Sequence, residues 1–86
     1  MINLFKRVKR IKITYIVPRV GTRYSVPVEV KIYDDLGEEI ANLVNDEKPI
    51  GTHEGEFDVS GLKRGLYFYQ VDAGSFVSVR EMFEVK

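Results

Sequence analysis

Apolar and polar residues alternate with a period of two through most of this chain, and no apolar stripe at helical spacing lasts ten residues. Successive side chains on a strand point to opposite faces, so this pattern builds half-buried strands and excludes a helical core. Residues 11–17 (IKITYIV) form a first strand closed by Pro18, which cannot donate to a central ladder. A loop over residues 19–26 leads to residues 27–33 (PVEVKIY), with Val28, Val30 and Ile32 on one face and Glu29, Lys31 and Tyr33 on the other. Asp34, Asp35, Leu36 and Gly37 make the next reversal, where Gly37 supplies a positive φ. In the returning strand, residues 38–44, Ile40, Ala41, Leu43 and Val44 break strict alternation, which predicts a bulge. Residues 45–51, with Pro49 among them, read as a loop.

Alternation resumes over residues 52–59, with His53, Gly55, Phe57 and Val59 on one face and Phe57 as the expected core anchor. A compact crossing over residues 58–65 precedes the aromatic strand 66–72, on which Tyr67 and Tyr69 share a face and Phe68 opposes them. Ala73, Gly74 and Ser75 turn the chain into a last strand over residues 76–86. About seven short antiparallel strands at such intervals predict an all-β sandwich. At 86 residues there is room for one core, so residues 11–86 form the sandwich and residues 1–10 a basic tail or edge segment.

The formal charge is zero, yet residues 1–31 carry eight Lys or Arg against the single acid Glu29, while residues 32–86 carry five basic residues against twelve acids. Two oppositely charged segments, +7 and −7, therefore make up the neutral total. The cluster Lys6, Arg7, Lys9, Arg10 and Lys12 is the candidate contact for an anion or a partner protein, since basic tails bind phosphates and acidic surfaces. The acidic remainder disfavours nucleic acid, because such a partner would have to grip the tail alone. Self-association through the charged faces, and simple protection of a sheet edge by lysine and arginine, are the competing readings.

Few chemistries fit. His53 is the only histidine, and its place on an alternating strand needs no catalytic explanation. With one histidine and no cysteine there is no basis for a transition-metal site, and the acids Asp34, Asp35, Glu38 and Glu39 flank a tight turn without the ligand spacing of a calcium loop. The glycines are scattered at turns, so no phosphate cradle is formed. No enzyme activity, metal or cofactor is expected. No stretch approaches the ~20 apolar residues of a membrane helix. The start MINLFKRVKRIK has the charge of a signal-peptide n-region but runs into IKITYIV, which lacks an apolar h-region, so export by this polypeptide alone is not expected.

An ordered series of residues carries a family resemblance. Tyr33 and Asp34, Gly37, Ile40, Leu43 and Val44, then Gly51, His53, Phe57, Asp58, Leu62, Gly65, Tyr67, Tyr69 and Gly74, with Ile13, Tyr15 and Pro18 upstream, resemble the immunoglobulin-like C-terminal sorting domains of type IX secretion cargo and the related module of flagellar hook-capping proteins. The basic entry and a long loop after Pro18 depart from that pattern. The resemblance implies an immunoglobulin-like sandwich and a non-enzymatic role in sorting or anchoring, with recognition by an outer-membrane translocon. It also implies placement at the cell surface as part of a larger exported cargo. It points to the last strand for recognition, with Arg80 and Lys86 as contacts and Gly74 setting the hairpin before them. Asp58, Leu62, Gly65 and Tyr67 would form a structural corner, in which Leu62 plugs the core, Gly65 admits a tight backbone and the Tyr67 hydroxyl bonds to a nearby carbonyl. A free-standing immunoglobulin-like module that self-associates or binds a scaffold is the alternative.

Overall fold

A computed structural model describes residues 10–75 and 77–86. Among them are six strands: β1 (Arg10–Val17), β2 (Ser25–Asp34), β3 (Glu39–Pro49), β4 (Gly51–Asp58), β5 (Gly65–Ala73) and β6 (Val77–Val85). The described residues are all-β, with six strands where about seven are expected. β1 and β4 form a two-stranded sheet, and β3, β2, β5 and β6 form a four-stranded sheet in that order, every pairing antiparallel. The alternation read from the sequence becomes the two-layer core. Val26, Val28, Val30 and Ile32 of β2 are all buried: the three valines cluster with Ile13 and Val17 of the small sheet and with Val71 and Ala73 of the neighbouring β5, and Ile32 clusters with Val59, Tyr67 and Val85. Each such aliphatic side chain contributes ~1.5–3 kcal/mol when fully buried.

The predicted break in β3 is a double irregularity. Val30 faces Val44 while Lys31 faces Asn42, leaving Leu43 over; Ile32 faces Ala41 while Tyr33 faces Glu39, leaving Ile40 over. Leu43 consequently packs against the core, whereas Ile40 is exposed.

Two loop assignments need correction. Residues 45–49 are strand, because the polar continuation of β3 pairs with the start of β2, Pro49 opposite Ser25 and Asp46 opposite Val28. Their low intrinsic strand preference is overridden by cross-strand pairing, and the proline is tolerated because β3 is an edge strand and Pro49 is its last residue. For the same reason β2 starts at Ser25, two residues earlier than its alternation suggests, and Ser25 Oγ donates to Glu47 Oε1 at 2.8 Å. Phe57 is also not a buried anchor. Its ring is half-buried against the core and folds over Gly55, where an added Cβ would lie 2.8 Å from Cζ.

The small sheet spans only part of the large one. At the Val85 end of β6, Val85 is buried and Phe83 stacks on Tyr67 with ring centroids 5.7 Å apart. Further back along the same inward face, Val79 stays 44% exposed and Glu81 is exposed, with nothing above them among the described residues but the flank of β1.

Candidate functional site

β6 is an edge strand of the four-stranded sheet, and its outward face carries Ser78, Arg80, Met82 and Glu84. Arg80 lies opposite Gln70 on β5, and its Nε and Nη2 both donate to Gln70 Oε1, at 3.0 and 2.7 Å. Gln70 in turn donates from Nε2 to the Asp72 carboxylate at 3.0 and 3.2 Å. The guanidinium lies over the Tyr33 ring, 5.1 Å from its centroid, and 5.9 Å from that of Phe68. Such cation and ring contacts contribute ~0.5–1 kcal/mol at exposed sites and hold the planar group flat against the sheet. No carboxylate pairs with Arg80 among the described residues, so its remaining N–H groups are oriented and open to an acceptor. Next along the same face is Met82, 58% exposed, and one rung further is Leu66, 46% exposed. A fixed arginine among aromatic and methionine side chains has the composition of a protein-binding surface.

The other residues expected to act in recognition are not gathered there. Gly74 is in the β5–β6 turn at φ 61, where its N–H donates to Pro27 O at 2.8 Å and ties that turn to β2. Lys86 follows the opposite end of β6 and is exposed. Tyr33, Phe68 and Gln70, which set the Arg80 geometry, are given no part in recognition by the sequence. Strand alternation places Phe68 and Gln70 on one face, but bringing them under Arg80 needs the β5–β6 register, which composition does not encode.

The corner residues do adjoin one another. Asp58 Oδ1 accepts from Ser60 N at 2.8 Å, and Leu62 N donates to Val59 O at 3.0 Å. Leu62 packs against the cluster of Ile32, Val59, Tyr67 and Val85, and the Tyr67 hydroxyl donates to Lys63 O at 2.7 Å. Gly65 acts differently from the tight-approach role expected of it: an added Cβ would meet nothing within 4 Å, and glycine is required by φ of 150.

Of the basic cluster, Lys6, Arg7 and Lys9 lie outside the described residues. Arg10 and Lys12 open β1 and face acids across the small sheet: Arg10 is opposite Asp58, Lys12 is opposite Glu56, and Lys12 Nζ is 3.7 Å from Glu54 Oε1. Lys12 is thereby matched within the domain, and Arg10 stands across from an acid.

His53 stands opposite Tyr15, stacks on it with centroids 5.5 Å apart, and donates from Nε2 to Pro49 O at 2.6 Å. The carbonyl can only accept, so the proton is on Nε2. Asp34 uses its carboxylate to close its own turn, accepting from Leu36 N at 3.0 Å and Glu38 N at 2.8 Å. Among the described residues no group of three or more His, Asp or Glu is placed to hold a metal ion, and no helix is long and apolar enough to cross a membrane.

Comparison with curated proteins and with solved structures gave no match. The family model described as "Secretion system C-terminal sorting domain" matches residues 8–84, which takes in all of β1 to β5 and nearly all of β6. With its two-layer β fold and its residues committed to packing, turns and a surface arginine, the chain belongs to the family of secretion system C-terminal sorting domains, the sorting signals of type IX secretion.

Proposed function

We infer that this domain is a non-enzymatic sorting and anchoring module of immunoglobulin-like architecture, which an outer-membrane translocon reads from the outward face of β6. The observation that carries this reading is Arg80, held against the sheet by Gln70, Tyr33 and Phe68 on an edge strand, with no ion-pair partner among the described residues. A guanidinium fixed in this way has little rotamer entropy left to lose on binding, which favours a bidentate carboxylate or a row of carbonyls on the partner. Lys86, beyond the end of β6, adds a second cation, and Gly74 fixes the hairpin that presents the strand. The cargo bearing this signal would be delivered to the cell surface. Family membership supports the sorting role itself, since a sorting-signal family is not an enzymatic one.

The test is a fusion of the domain behind a signal peptide and a reporter in a host with type IX secretion. Arg80→Gln leaves the core untouched and is expected to cut surface display while the purified variant stays folded, its melting temperature lowered only by the few degrees that the lost ring and Gln70 contacts account for. Display equal to the parent in Arg80→Gln and in a variant that also carries Lys86→Gln would overturn the assignment of recognition to β6.

A further inference from the structure

A second surface lies on the opposite side of β6. A groove of about 450 Å³ runs between Thr14, Tyr15 and Ile16 of β1 on one side and Tyr69, Val71, Val79 and Glu81 of β5 and β6 on the other. Its volume is that of an ordinary ligand pocket. Three consecutive β1 residues form one wall, so the groove follows the backbone of that strand. Among the described residues β1 pairs only with β4, and the edge facing the groove has no strand beside it. Val79, on the inward face of β6, is 44% exposed, so the groove leaves an apolar side chain of that face open to solvent.

We propose that this groove takes up an extended peptide segment of a protein partner, which adds as a strand to the free edge of β1 and covers the inward face of β6. Main-chain hydrogen bonds to an open edge supply affinity in such strand addition, and pockets for alternate side chains supply specificity. The floor fixes the chemistry of the segment. Val79 and the ring of Tyr69, above the buried Val71, call for aliphatic side chains at alternate positions. Glu81, whose Oε2 accepts from the Tyr69 hydroxyl at 2.9 Å and which has no cation partner among the described residues, calls for a lysine or arginine on that same face. A folded second copy does not fit. β1 of another molecule already has its own four-stranded sheet beneath Ile13 and Val17, and that sheet would have to occupy the space of β5 and β6. A single strand with nothing packed on its underside meets no such obstacle. The site does not depend on sorting and is separate from the outward face that bears Arg80.

The experiment uses the isotope-labelled full chain and the peptide acetyl-Thr-Val-Thr-Val-Thr-Lys-Thr-Val-amide, followed by amide chemical shifts. The expected result is saturable shifts confined to the β1 residues Thr14, Tyr15 and Ile16 and to Val71, Val79 and Glu81, with slower hydrogen exchange along β1. Exchanging the peptide lysine for glutamate should weaken binding about fivefold, the size of one exposed ion pair. Glu81→Gln should abolish that difference, and N-methylation of alternate peptide nitrogens should abolish binding. Equal binding of the lysine and glutamate peptides to the parent chain, shifts on the Arg80 face, or no binding at several millimolar peptide would overturn the proposal. Two further outcomes would overturn it by naming another occupant: binding only after residues 1–9 are deleted assigns the groove to that segment, and concentration-dependent shifts of the same residues without peptide assign it to a second copy.

Discussion

At the scale of single residues, two glycines that look alike in the sequence do opposite things. Gly65 answers to the backbone, since its φ of 150 is closed to other residues while its surroundings are empty. Gly55 answers to a neighbour: it needs no unusual φ, but a Cβ there would lie 2.8 Å from Cζ and 3.0 Å from Cε2 of Phe57. A bare glycine in a strand is weakened by its flexibility, and the ring folded over it restores part of the lost contact. Gly55→Ala in the parent is therefore expected to cost about 1–3 kcal/mol, the usual penalty for overpacking. In a Phe57→Leu background the obstructing ring is gone, and the same substitution should become stabilising by ~0.5–1 kcal/mol through the reduced flexibility of alanine. Urea midpoints of the four proteins in this cycle test the change of sign, and a Gly55→Ala cost that persists without the ring would refute the packing explanation.

Strand pairs are fastened from outside the core as well as within it. Lys31 on β2 reaches Glu39 on β3 at 3.3 Å and Glu29 on its own strand at 3.4 Å, and Tyr69 on β5 donates to Glu81 on β6. Hydrogen bonds to Glu39 and Glu29, reinforced by their charge, raise the Lys31 ammonium above its ordinary 10.5. Burial first, and then the Glu81 bond, raise the Tyr69 phenol above its ordinary 10.0, and burial raises Tyr15 in the same direction. In all three groups the native state holds its proton more tightly than the unfolded chain. Their contribution is complete below those ordinary values and is lost as pH rises through the raised native ones, because the unfolded chain gives up its protons first. Unfolding free energy should thus begin to fall above about pH 10, and Tyr69→Phe should make that alkaline fall shallower, as read from urea titrations along the pH series. An unchanged slope would mean that Tyr69 does not take part. These fastenings also mark what could be read in advance. β2, β5 and the Asp34 turn were legible because alternation and turn chemistry are local properties. The polar end of β3 was not, since residues 45–49 become strand only by pairing with residues 25–29. Arg80 is legible only through the family resemblance, which points to the last strand, whereas Tyr33, Phe68 and Gln70 around it depend on register across three strands.

For the molecule as a whole, the division of charge along the sequence is a folding instruction that tertiary structure completes. Residues 1–31 carry +7 and residues 32–86 carry −7, and the ion pairs Lys12–Glu54 at 3.7 Å, Arg23–Glu47 at 3.8 Å and Lys31–Glu39 at 3.3 Å all join the first segment to the second. Only Lys31–Glu29 stays within one segment among the described pairs. The first two links are exposed and the Lys31 side chain is part-buried; each is individually weak, but together they favour the arrangement in which β1 faces the acids of β4 and β2 faces those of β3. The triple variant Lys12→Gln, Arg23→Gln, Lys31→Gln should then be less stable than the parent at about 10 mM salt, where charges act over ~30 Å. At about 1 M salt, with screening over ~3 Å, the two proteins should unfold at the same urea concentration, because none of the three side chains is in the core and only charge separates the variants. A deficit of equal size at both salt concentrations would locate the loss in packing of the lysine and arginine stems along the sheets. The tertiary links between the two charged segments would then add nothing to the stability of the fold.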